Sequence, residues 1–157
     1  MVKRAALMAG GIAGLAALTF GPGAGTASAA PIPVYQVPAT GLAVSGLVVP
    51  GPWFVNIHAE TTNVPGEVAF SVPTNPYYCS ASSGGALVRI DYINLSRGNA
   101  GSVTVKPCDR WMEPEPMVAN VRVGGGQVAF TTSILPSKYS PQAGQPALPG
   151  GGTLNVP

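Results

Sequence analysis

The chain reads as an antiparallel all-β domain, a sandwich or barrel stapled by one disulfide, and three observations carry that expectation. Apolar residues in 30–157 recur with a period of two, the segments that show it are rich in Val, Ile, Thr and aromatics, and Gly or Pro bounds nearly every one of them. Only eight basic and six acidic residues occur in 157, against 21 Gly and 17 Pro. That balance excludes coiled coils, charged tails and the usual helical enzyme.

Taken in chain order, Leu42–Val49 is the first candidate strand. Trp53–Thr61 follows, with Trp53, Val55, Ile57 and Ala59 on one face and Phe54, Asn56, His58 and Glu60 on the other, the alternation of a half-buried strand. Glu67–Val72 comes next, after a Val64-Pro65-Gly66 turn. In Ala86–Leu95 the faces are Val88, Ile90 and Tyr92 against Arg89, Asp91 and Ile93. The Gly- and Asn-rich stretch 96–101 then joins this strand to Ser102–Lys106 as a hairpin. Met117–Val123 and Gln127–Leu135 flank Gly124-Gly125-Gly126, whose freedom at positive φ suits a tight hairpin, and consecutive strands are expected to pair. Residues 136–157 hold nine Pro or Gly and one charge, Lys138, so they read as an extended segment outside the 30–135 sandwich, ending in an edge strand over Thr153–Val156. No helix of useful length is expected after the N-terminus.

The N-terminus itself carries Lys3-Arg4, the apolar run Ala5–Phe20, a Gly/Pro break at 21–25 and the small-residue motif Ala27-Ser28-Ala29. These are the parts of a secretory signal peptide over 1–29, cleaved near Ala29. The run falls short of the roughly 20 residues a spanning helix needs, so no stable membrane insertion is expected. No Cys follows the motif to take a lipid, and Lys3-Arg4 is not a twin-Arg signal. Without 1–29 the chain carries six basic and six acidic residues, and no basic stripe remains to neutralise phosphates. Nucleic acid is therefore a poor partner.

Cys79 and Cys108 are the only cysteines. In an exported chain they pair, closing a loop of about 30 residues worth roughly 3–4 kcal/mol in the chain-entropy model. Tyr77-Tyr78, beside Cys79, form either a binding platform or a cover over the sulfurs. The irregular stretch 107–116 brings Asp109, Arg110, Trp111, Met112, Glu113 and Glu115 together. Arg110, Trp111 and Met112 are the candidate partner-binding residues, since Trp and Arg are enriched at binding hot spots. The competing view has Trp111 capping one end of the sandwich while the charges solvate the loop.

Chemistry-bearing residues are few. His58 is the only histidine, with Asn56 and Glu60 on its face of the strand; a triad with Glu60 or Asp91 and Ser80, Ser82 or Ser83 is not required by any spacing, and no Gly-x-Ser-x-Gly elbow exists. Asn56, His58 and Glu60 make an incomplete metal set, Glu113 and Glu115 flank Pro114 with nothing to fix their separation, and no phosphate-binding glycine loop opens a helix. No cofactor, metal or catalytic residue is assigned, and the chain is read as a non-enzyme. Asn94-Leu95-Ser96 matches the glycosylation sequon, but Asn94 is better read as ending a strand.

The Ala/Gly-rich signal, the segment Val88–Val103 and the ending Leu148–Pro157 resemble the small secreted, uncharacterised β-sandwich proteins of mycolic-acid-containing actinobacteria. The resemblance covers about half of the chain after the signal. It implies export and an immunoglobulin-like antiparallel β-sandwich, and it brings no catalytic residues. The expected function is secreted, non-enzymatic binding of a protein or cell-envelope component, through the Arg110-Trp111-Met112 loop or an apolar sheet face. The alternative is a carrier of a small apolar ligand such as an envelope lipid, held between the sheets or under the C-terminal segment.

Overall fold

The computed structural model describes residues 29–46, 49–110 and 112–157. The expected signal segment lies outside them except for Ala29, and so does Trp111. Among the described residues eleven strands form: β1 Pro31–Ile32, β2 Val34–Val37, β3 Ala39–Val44, β4 Pro50–Val55, β5 His58–Thr61, β6 Glu67–Ser71, β7 Leu87–Asn94, β8 Ala100–Val105, β9 Val118–Arg122, β10 Gly126–Leu135 and β11 Gly150–Val156. A one-turn helix α1, Pro76–Ser80, is started by the Asn75 side chain, whose Oδ1 accepts from the Tyr77 N–H at 2.9 Å, and a 3₁₀ turn covers Ser82–Gly85.

All pairings are antiparallel and build three sheets, β1-β5-β6-β9, β2-β11-β10-β7-β8 and the two-stranded β3-β4. The first two sheets face each other as the expected sandwich. Val68 and Phe70 on β6 meet Val88, Ile90, Val128, Phe130 and Leu154 of the opposite sheet, and the Phe70 ring stacks on Tyr92 with centroids 6.5 Å apart. The third sheet lies over Trp53, which is buried beneath it with Ile134, Ala86 and Ala143 in the same core cluster.

At two of the places where the chain passes from one sheet to another, a side-chain amide replaces missing ladder bonds. The buried series Trp53, Val55, Ile57, Ala59 runs unbroken, yet the chain leaves the small sheet after Val55 and joins the four-stranded sheet at His58. Gln36 bridges the gap, donating through Nε2 to the Ile57 carbonyl at 2.9 Å and accepting the Ile57 N–H at 2.8 Å. The expected hairpin at Gly124–Gly126 is the second switch: β9 pairs with β6 and β10 with β7 and β11, so these consecutive strands do not pair. Asn94 is fully buried there and donates to the carbonyls of Val123 at 2.8 Å and Gly124 at 2.9 Å, while Oδ1 accepts from the N–H groups of Ser96 and Arg97. It does end a strand, and its amide is fully committed within the fold.

The C-terminal segment departs most from expectation. β11 is an interior strand, seven residue pairs in register with β10 on one side and four with β2 on the other, and not an edge. Its glycines read as a linker in sequence, but a Cβ on Gly150 would collide with the Val37–Ala39 backbone and one on Gly152 with the Tyr35 carbonyl. They are glycine because β2 passes too close for any side chain. The first expected strand, Leu42–Val49, is instead a hairpin, since β3 ends at Val44 and the Ser45 N–H closes the turn on the Val49 carbonyl.

Candidate functional site

The cysteines pair as expected: Cys79 in α1 is bonded to Cys108, just past the end of β8, tying the 75–85 stretch to the sheet. Of the residues proposed for recognition, Tyr77, Tyr78, Arg110 and Met112 lie at this corner, and the polar groups of Tyr78 and Arg110 are engaged internally. Arg110 is half-buried and donates through Nη2 to the Cys79 carbonyl at 3.1 Å. Lys106 donates to the carbonyls of Arg110 at 2.9 Å and Glu113 at 3.1 Å, which fixes the loop's turn. Glu113 is buried and accepts a hydrogen bond from the Ser137 hydroxyl, anchoring the loop to the C-terminal segment. Met112 is half-buried. Tyr78 turns its ring to Trp53, centroids 6.2 Å apart, and donates its hydroxyl to the Pro52 carbonyl at 3.3 Å; Tyr77 meets the Tyr78 ring edge-on and stays exposed.

The residues that could be drawn as a triad are not brought together. His58 and Glu60 sit on the outer face of the four-stranded sheet, whereas Asp91 is on the outer face of the other sheet, paired with Arg89 at 2.7 Å. The Ser80 and Ser83 hydroxyls donate to the carbonyls of Pro76 and Tyr78, and the Ser82 hydroxyl accepts the Val44 N–H. Among the described residues no group of three or more His, Cys, Asp or Glu side chains could hold a metal ion.

An apolar sheet face, expected from the sequence without a location, stands out on the β3–β4 hairpin. Register places Thr40 opposite Phe54, Leu42 opposite Pro52 and Val44 opposite Pro50, and these six side chains point away from the core because Ala39, Gly41, Ala43, Trp53 and Val55 point into it. Leu148 extends the face on the free side of β3, bound to Thr40 through Thr40 N–H to Leu148 carbonyl at 3.0 Å and Leu148 N–H to Thr40 carbonyl at 2.7 Å. Between this hairpin and residues 146–148 runs an open groove of about 540 Å³, lined almost wholly by carbon, with the Thr40 hydroxyl its only polar side-chain group among the described residues. Leu148 is 69% exposed and Phe54 55%. A smaller crevice of about 260 Å³ beside β1, β2 and β5 is lined in part by Gln36, His58 and Glu60 and is more polar.

One sequence signal pointed to the apolar face: no Asp, Glu, Lys or Arg occurs between residues 5 and 59 or between 139 and 157, so the segments that build it are free of charge. Among the described residues no helix is long and apolar enough to cross a membrane. No protein-family model, curated protein or solved structure matches the chain, so the site rests on its own residues alone.

Proposed function

We propose that this is an exported, non-enzymatic binding protein of the cell envelope or extracellular space, and that it binds with the outer face of the β3–β4 hairpin and Leu148. The observation that carries the proposal is that face: a contiguous apolar surface on a domain whose core is already filled by other side chains. Export is supported by the signal-like features of 1–29 and by the disulfide, which persists in oxidising compartments. The 110–112 loop is the weaker candidate, because Arg110 already serves the Cys79 carbonyl and Lys106 holds the loop's own backbone.

The groove also favours the second reading, a carrier of a small apolar ligand, in one of its two forms. The space between the main sheets is occupied by Val68, Phe70, Ile90 and Phe130, whereas the groove under residues 146–148 is open and of ligand size. Native and denaturing mass spectrometry of protein recovered from its host's medium tests both readings. A mature mass starting near Ala30 and two hydrogens short supports export and the disulfide, and an added mass lost on denaturation supports the carrier. Titration with the neutral dye Nile red then locates the site: the wild type should bind it and Phe54→Ser should not. Loss on Trp111→Ala with Phe54→Ser unaffected would move the site to the loop.

A further inference from the structure

We propose that the partner of this face is the acyl region of a lipid layer, on which the protein lies peripherally through the β3–β4 hairpin and Leu148. The inference rests on the reading of that face as the binding surface and names what it meets. Charge is the first argument. The face is assembled from 39–55 and 140–148, neither of which contains a charged side chain, so it offers nothing to an ionic partner and loses no ion hydration on entering hydrocarbon.

Hydrogen-bonding capacity is the second. Protein interfaces carry about one hydrogen bond per 100–200 Å² and a polar rim. Here Pro50, Pro52 and Pro146 lack N–H groups, the Thr40 and Leu148 amides are bonded to each other's carbonyls, and among the described residues the Thr40 hydroxyl is the only polar side chain lining the groove. A protein would find almost no polar partner on this surface; an acyl layer needs none. Pro50 and Pro52 also leave β4, which among the described residues pairs only with β3, short of the donors a docking strand would use.

Tyrosines at the border are the third. Tyr78 reaches the Pro52 carbonyl with its hydroxyl, and Tyr77, in edge contact with Tyr78, is exposed. Aromatic rings with one polar end are the side chains that settle at the boundary between hydrocarbon and water. The arrangement is that of an interfacial anchor of modest depth rather than a spanning element.

Vesicle flotation tests the proposal, using purified, oxidised full-length protein, its Phe54→Ser and Leu148→Asp variants, and a Nile red titration of each. The expected result is that the wild type floats with vesicles of neutral phosphatidylcholine, that added phosphatidylglycerol or high salt changes little, and that each variant partitions about ten-fold less or weaker still while keeping the wild-type melting temperature. Flotation that survives both variants would assign binding to another part of the chain, the apolar N-terminal run included, and overturn the proposal. Flotation only with anionic vesicles, lost at high salt, would overturn it as well. Nile red binding that Phe54→Ser removes, with no flotation, would overturn the lipid layer yet leave the binding face standing; loss of both would sink the two together.

Discussion

Two outer sheet faces both expose large apolar side chains, and only one of them makes a surface of those side chains. On the five-stranded sheet Tyr35 and Ile93 share a row, but Thr153 and Ala129 lie between them, placing the two about 14 Å apart at the usual strand spacing. The neighbouring row is Val37, Gly151, Thr131, Asp91 and Ser102, mostly small or polar. On the β3–β4 hairpin, Phe54, Pro52, Leu42, Pro146 and Leu148 adjoin one another around a single Thr. Scattered apolar residues are ordinary on a protein surface, whereas a continuous patch with a groove is not. What distinguishes the two faces is contiguity and freedom from charge rather than the number of exposed hydrophobes.

The comparison can be broken at the hairpin's support, where the largest effect is expected. Trp53→Ala should cost about 3–5 kcal/mol, because the ring fills the space under β3–β4 and its Nε1–H is bonded to Thr74 at 3.2 Å; thermal unfolding reads the loss. Removing the staple with Cys79→Ser and Cys108→Ser should cost about 2–4 kcal/mol in chemical unfolding, and should loosen α1 and the Tyr78 contact beside the apolar face before it affects the five-stranded sheet. Asn94→Ala should cost about 1–3 kcal/mol, since it strands the carbonyls of Val123 and Gly124 at a sheet switch far from the hairpin, and dye binding at the face should survive wherever the variant is folded. The smallest stability change, within about 0.5 kcal/mol, is expected for Phe54→Ser and for Tyr35→Ser, as both side chains are exposed. These two variants should separate in dye binding alone.

Inward and outward positions were legible in the sequence, because period two is a local property of each strand. The series Trp53, Val55, Ile57, Ala59 is buried throughout. Partner choice was not legible, since the same alternation continues while the strand passes from one sheet to another, and only the amide of Gln36, 21 residues away in sequence, marks the crossing. Glycine misled for a similar reason. At 150 and 152 it permits close approach of β2 within a sheet, yet in one dimension it is indistinguishable from a flexible linker. The prolines at 31, 33 and 38 punctuated β1 and β2 so closely that no alternating run was long enough to declare itself.

The disulfide was legible from the count of two cysteines. The apolar face was only half so. Phe54 fell on the outward side of its strand as read, but Leu148 joins it through a bridge between residues 108 positions apart, which no local pattern encodes. Trp and Arg chemistry drew attention to 110–112, while the blank stretches of charge at 5–59 and 139–157 carried the more useful information.

The proposal that this protein binds through the contiguous apolar face, and not through the scattered hydrophobes of the five-stranded sheet, meets its sharpest test in a Nile red titration of the wild type, the double variant Phe54→Ser/Leu148→Asp and the double variant Tyr35→Ser/Ile93→Ser. The predicted result is saturable binding by the wild type and by the Tyr35/Ile93 variant, with binding lost in the Phe54/Leu148 variant at unchanged melting temperature. Equal binding by all three, or loss only in the Tyr35/Ile93 variant, would contradict it.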